Sequence, residues 1–172
     1  MARKLGSQTY TLDNQVVILA GAAIVGKKEG DGPLARYFDN IVDDEYAGEK
    51  TFEAAESRIL RDTYVKLLEK SGKAATDINF VLSGDLLDQC TAASYAFRDA
   101  NIPYFGLFGA CSTTSEALVL AALLIDSGAA DNIVCAASSH FCSAERQFRF
   151  PLEYGSQRTP TSQWTVTGAG AV

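Results

Sequence analysis

The chain has 172 residues, 47% hydrophobic and 21% charged, with a formal net charge of −6. That make-up belongs to a folded globular domain and excludes a disordered or collagen-like chain. The acidic balance argues against a general nucleic-acid binder, because nothing neutralises phosphates in bulk, yet it leaves room for a small anion in a local basic pocket.

Val16-Val17-Ile18-Leu19-Ala20, ending at Gly21, reads as a short buried strand, and the polar, glycine-rich 26–33 as a loop. A helix begins at Thr51, which caps it, with Glu53 at the positive end of the dipole. Its stripe is Phe52, Ala55, Ile59, Leu60, Tyr64, Leu67 and Leu68, and Gly72 stands where a terminating residue belongs. A second strand is predicted over 78–82, a helix over 88–100, and a third strand at Tyr104-Phe105-Gly106-Leu107-Phe108. The alanine- and leucine-rich 112–127 is helical and apolar on nearly every side, the pattern of a helix buried mid-fold. A fourth strand follows at Ile133-Val134-Cys135-Ala136-Ala137.

Strands alternating with helices at this spacing imply a layered α/β fold around a mostly parallel sheet. The stretch 141–163 reads as long and irregular. The closing Thr165-Val166-Thr167-Gly168-Ala169-Gly170-Ala171-Val172 reads as a strand entered and then cut off, so the chain is expected to be part of a larger protein. The longest apolar run, from Ala117 to Ile125, falls short of the ~20 residues a bilayer span needs. No signal-peptide core follows Met1-Ala2-Arg3-Lys4. Cys90, Cys111, Cys135 and Cys142 form no C-x-x-C pair, so reduced thiols are expected. With His140 the lone histidine, neither a metal site nor a cofactor is expected.

Gly21-Ala22-Ala23-Ile24-Val25-Gly26-Lys27-Lys28 matches the first seven positions of a P-loop. Its eighth, Lys28, is not the Ser or Thr that holds magnesium, and a strand-exit loop is the better reading. Gly168 and Gly170 are half a dinucleotide fingerprint and carry no signal.

Gly109-Ala110-Cys111-Ser112-Thr113 is the informative segment. It joins a strand directly to the apolar helix, so Cys111 and Ser112 stand at a helix N-terminus, where free N–H groups favour a thiolate or a carboxylate. A buried structural cysteine beside a cap fits equally well. Asp85 and His140 also follow predicted parallel strands, and the crevice outside such strand ends is the usual ligand site. Taken singly, Asp85 suits a helix cap and His140 a satisfied histidine. Arg146 and Arg149 are placed to reach over that crevice with carboxylate-matching guanidinium forks, or to pair with Glu145 and Glu153.

Through this cysteine segment and the closing Thr167-Gly168-Ala169-Gly170-Ala171, the chain resembles the thiolase superfamily. It is more closely similar to the stage V sporulation protein AD family of spore-forming bacteria. That likeness also rests on Gly30-Asp31-Gly32-Pro33-Leu34, Ser83-Gly84-Asp85-Leu86-Leu87, Ser138-Ser139-His140, Ala144-Glu145-Arg146-Gln147-Phe148-Arg149 and Glu153-Tyr154-Gly155. The resemblance implies a thiolase-like layered α/β fold, with residues 1–172 as the first of two pseudo-repeated halves. It implies a non-catalytic protein that binds dipicolinic acid and assists its uptake into the developing spore. The alternative is an acyl-transferring enzyme working through Cys111. Also implied are a ligand pocket bordered by Cys111, Ser112, Asp85, His140, Arg146 and Arg149, and a location at the forespore inner membrane. The implied partners are the other SpoVA membrane proteins and a second copy joined through the strand at Tyr104-Phe105-Gly106-Leu107-Phe108.

Overall fold

The computed structural model describes residues 2–87, 90–148 and 167–172, the last four side chains of the 90–148 stretch excepted. A small antiparallel hairpin, β1 (Arg3–Leu5) with β2 (Thr9–Thr11), stands apart from the main sheet. The six-stranded sheet contains β3 (Ala22–Gly26), β4 (Asn40–Val42), β5 (Phe80–Gly84), β6 (Tyr104–Gly106), β7 (Ile133–Ser139) and β8 (Gly168–Ala171). Their spatial order is β4-β3-β8-β7-β5-β6. β8 runs antiparallel to both β3 and β7, and every other pairing is parallel, so the sheet is mixed and mostly parallel as expected.

Helices α2 (Phe52–Ser71) and α3 (Thr91–Phe97) cover one face, and α4 (Thr113–Asp126) lies on the other. Alternation along the strands divides the core between them. Val81, Val134 and Ala136 join Ile59, Leu60 and Phe97, while Leu82 and Cys135 join Ala117 and Ala121. α2 begins where Thr51 Oγ1 accepts a hydrogen bond from the Ala54 amide at 3.2 Å, and ends at Gly72, whose φ of 67° suits glycine. Short helices α1 (Lys27–Gly30) and α5 (Phe141–Phe148) complete the described α-helices.

Four expectations need correction. The strand predicted at Val16-Val17-Ile18-Leu19-Ala20 forms instead over Ala22–Gly26, because β4 and β8 offer partners only there. The glycine-rich 26–33 contains the single turn α1, and the irregular reading from residue 141 gives way to helix through Phe148. α4 is not buried all round. Ala117 and Ala121 pack on the sheet, but Leu118, Val119 and Leu120 are exposed, since no described element covers that face.

Candidate functional site

The parallel neighbours β7, β5 and β6 bring three loops to one edge of the sheet. Gly84 stands opposite Ala137 and Ser83 opposite Gly106, so Asp85, His140 and the 107–112 segment all leave from that edge. The packing is close enough to require glycine: a Cβ on Gly84 would collide with the Leu107 carbonyl oxygen.

Cys111 lies in a 3-10 turn spanning Ala110–Ser112, immediately before α4. The turn is laced shut by its own polar groups. The Gly109 amide donates to Thr113 Oγ1 at 3.1 Å, which donates to the Ala110 carbonyl at 3.0 Å. Ser112 Oγ donates to the Gly109 carbonyl at 2.7 Å. Ala110 has φ of 47°, a left-handed conformation that a residue with a Cβ adopts at a cost of about 1–3 kcal/mol, typical of functional turns. Inside such a turn the Cys111 thiol is exposed, whereas a packing cysteine would be covered. Glu116 sits in the first turn of α4 against Gly109, where the helix dipole favours a carboxylate.

Asp85 is 2% exposed and its carboxylate is spent on the chain. Oδ1 accepts from the Leu87 amide and Oδ2 from the Ala93 amide, both at 2.7 Å, so Asp85 fastens the β5 exit to the start of α3. Burial pushes its carboxyl above the usual range, and backbone donors from Ala93, Leu87 and Ala92 pull the other way. From the same loop, the Cys90 thiol donates to the Leu107 carbonyl at 3.0 Å, and burial pushes its pKa up.

His140 is fully buried. Its Nε2 donates to the Glu45 carbonyl at 2.7 Å, and its Nδ1 accepts from the Cys142 amide at 3.2 Å, which fixes the tautomer. Phe52 and Phe141 stack on the ring, with centroids 5.2 and 5.4 Å away.

Beneath the β7 exit lies a residue that the sequence reading passed over. Glu56 of α2 is 2% exposed, with Ser138 Oγ donating to Oε1 at 3.0 Å and Ser143 Oγ near Oε2 at 2.8 Å. Burial is the main reason its carboxyl is pushed up to about 7, and the charge of Asp85 adds to it. The signal was available: Glu56 follows Phe52 by four residues and precedes Ile59 by three, on the buried stripe.

The sheet therefore brings Asp85, His140, Cys111 and Ser112 to one edge. Cys111 and Ser112 are open to solvent, while Asp85 and His140 are interior and bonded within the chain. Arg149 and the side chain of Arg146 lie outside the described residues. Among those residues no cluster of His, Cys, Asp and Glu suits a metal ion, and no helix is long and apolar enough to cross a membrane.

The family model for stage V sporulation protein AD matches residues 6–172. A curated protein, stage V sporulation protein AD of Bacillus subtilis (strain 168), is 41% identical over 167 residues, which are 97% of this chain and 49% of that protein. The chain thus spans about half the length of this relative. Among solved structures, 3-oxoacyl-[acyl-carrier-protein] synthase III from Aquifex aeolicus VF5 superposes with a TM-score of 0.60 at 16% identity, covering 90% of this chain and 51% of that one. A variant of OleA from Xanthomonas campestris does so with a TM-score of 0.60 at 17% identity, covering 94% and 58%. At these identities the likeness establishes the fold, which is thiolase-like.

Proposed function

Since the chain belongs to the stage V sporulation protein AD family, we propose that it is a binding protein rather than an acyl-transferring enzyme, and that its ligand is dipicolinic acid. The supporting observation is the contrast between two residues. Cys111 is exposed on a strained turn, while the chain's sole histidine is buried with both ring nitrogens engaged. A cysteine nucleophile works with an adjacent base, and within this chain, which spans about half of the relative's length, His140 is committed elsewhere.

In this reading the ligand, a flat aromatic dianion, rests at the lip formed by Cys111 and Ser112. Asp85 and His140 act as positioning residues that hold the loops. Glu116 puts negative charge beside that lip, so the balancing cations are assigned to Arg146 and Arg149, whose guanidinium forks match carboxylates. The proposal extends to uptake into the forespore at its inner membrane with the other SpoVA membrane proteins. It also includes pairing of two copies through β6, an edge strand among the described residues, on which Phe105 is 46% exposed.

Titration calorimetry with dipicolinate on the full-length family chain tests the reading. A saturable heat is expected, weakened roughly tenfold or more by Ser112→Asp, which adds a charge at an exposed position. Absence of heat overturns it. So does a stable acyl adduct on Cys111, detected by intact mass after incubation with acyl-CoA, which would favour the enzyme reading that the exposed thiol keeps in play.

A further inference from the structure

Three parts of the candidate site meet at Glu56. It stands on α2 one turn after Phe52, whose ring stacks on that of His140. Ser138, next to last in β7, donates to its Oε1 at 3.0 Å, and Ser143 of α5 lies 2.8 Å from its Oε2. Asp85, at the exit of β5, is near enough for its charge to act on Glu56. α5 is also the helix to which Arg146 belongs, one of the two cations assigned above to the ligand's carboxylates. Glu56 is 2% exposed, so it acts on a ligand at the open lip of Cys111 and Ser112 only through the elements it ties together.

Its surroundings favour one protonation state. Among the described residues no ion pair reaches Glu56. The charges that act on it, Asp85 from the β5 exit and Glu53 from its own helix, are both negative. β3 and β8 bring no titratable side chain. On α3, Tyr95 is 59% exposed, and burial pushes the Cys90 thiol up at the helix start, so both stay neutral near pH 7. His140, at the β7 exit, has both ring nitrogens engaged, one of them by the Glu45 carbonyl. Cys142 precedes Ser143 on α5, and the side chains of Glu145 and Arg146 lie outside the described residues. A buried carboxylate with no cation beside it is far costlier than the neutral acid. The carboxyl's rise to about 7, caused first by burial, agrees with this geometry. Once ionised, Glu56 regains solvation by admitting water between α2 and α5, and the contact with Ser143 is the one that water replaces.

We infer that Glu56 is a proton-operated latch on the proposed ligand site: neutral, it fastens α5 to α2 and keeps the helix of Arg146 in place, and ionised, it lets that helix loosen. The inference rests on the ligand reading above and adds its regulation. Affinity falls as pH rises, and by linkage a ligand that prefers the latched form takes up a proton on binding.

Two measurements on the full-length family chain test this at pH 6 and pH 8. Titration calorimetry with dipicolinate reads the coupling. Amide exchange at Ala144, whose N–H bonds the His140 carbonyl at 2.9 Å, reads the latch without ligand. Carboxylic acids ordinarily titrate near about pH 4, so the ligand is a dianion at both pH values. The unmodified chain is expected to bind roughly tenfold more weakly at pH 8. Near pH 7 it should take up part of a proton per ligand, read from the heats in two buffers of different ionisation enthalpy. Ala144 exchange, corrected for its intrinsic pH dependence, should accelerate by a similar factor. Glu56→Gln should stay latched, with tight binding and slow exchange at both pH values. Ser143→Ala should stay unlatched, with weak binding and fast exchange at both. Equal Ala144 protection at pH 6 and pH 8 in the unmodified chain overturns the inference, as does an affinity that does not change with pH. So does either variant if it keeps the original pH dependence, and Ser143→Ala alone decides this if Glu56→Gln does not fold. Absence of heat at either pH overturns the dipicolinate reading instead, and the exchange comparison then decides the latch by itself.

Discussion

Ser143 Oγ lies 2.8 Å from Glu56 Oε2 and 3.1 Å from the carbonyl oxygen of His140. A hydroxyl has one proton, so it cannot donate to both oxygens at once. The arrangement is satisfied when Glu56 is protonated: its hydroxyl donates to Ser143 Oγ, and Ser143 donates to the His140 carbonyl. The geometry and the raised carboxyl pKa thus agree on a neutral Glu56 at mildly acidic pH, linking α2 to α5 at the β7 exit.

This linkage gives a pH dependence of defined sign. The folded chain holds the Glu56 proton up to about 7, against an ordinary value of 4.5. Stability from this group is therefore complete below 4.5 and is lost as pH rises through 7, by about 3 kcal/mol. Asp85, also raised, adds in the same direction. Urea denaturation between pH 4.5 and 8 is expected to show falling stability. Glu56→Gln, which keeps a neutral donor and acceptor, should flatten the slope and be the more stable chain at pH 8. An unchanged slope in that variant would refute the assignment.

The four thiols should differ in reactivity. Cys111 is exposed, whereas Cys90 and Cys135 are buried and burial pushes the latter's pKa up to about 11. Two units above the ordinary thiol leave roughly a hundredfold less thiolate. An aromatic disulfide reagent on the native chain is expected to modify Cys111 first, with Cys90 and Cys135 reacting only on unfolding. Peptide mapping of the first adduct identifies the site. If dipicolinate binds as proposed, it should slow that first reaction and leave the unfolded-state reaction unaffected.

Much of this fold was legible in the sequence, because the signals were local. Thr51 and Gly72 bracket α2 through a cap and a left-handed turn that short-range chemistry dictates. What escaped depends on partners distant in sequence. Val16-Val17-Ile18-Leu19-Ala20 is a better strand by composition than Ala22–Gly26, but pairing decides, and β8 reaches only the latter. The apolar surface of α4 implied burial, yet hydrophobicity states a need for cover without naming what supplies it. Strand ends indicated that Asp85, Cys111 and His140 leave from one edge of the sheet, as they do. The opposite fates of their polar atoms were set by Leu87, Ala93, Glu45 and Cys142, which no spacing rule ties to them.

Gly84→Ala should be far more damaging than an ordinary glycine substitution. The new Cβ would overlap the Leu107 carbonyl and press on Thr113 Cγ2, so either β5 or the Cys111 turn must move. A loss of about 3 kcal/mol or more is expected by chemical denaturation. Faster modification of Cys90 should accompany it, because its thiol bonds the same carbonyl. The equivalent change at Gly48, with nothing near its Cβ but φ of 76°, involves backbone strain alone and should cost about 1 kcal/mol.

Asp126 anchors the chain ahead of residues 16–20. A carboxylate at the C-terminal end of α4 opposes the helix dipole, yet Asp126 is only 3% exposed there. Its Oδ1 accepts from the amides of Asp13 and Asn14, both at 2.8 Å, and its carbonyl accepts from Asn14 Nδ2 at 3.0 Å. These bonds pin the chain just before residues 16–20 to the far end of the helix that begins beside Cys111. Asp126→Ala removes two acceptances, and a loss of about 1–3 kcal/mol is expected. Asp126→Asn keeps one amide oxygen and should lose less. The distinguishing readout is limited proteolysis: cleavage within residues 12–20 should accelerate in the alanine variant well below its unfolding midpoint, whereas a purely global effect would leave cleavage tracking unfolding.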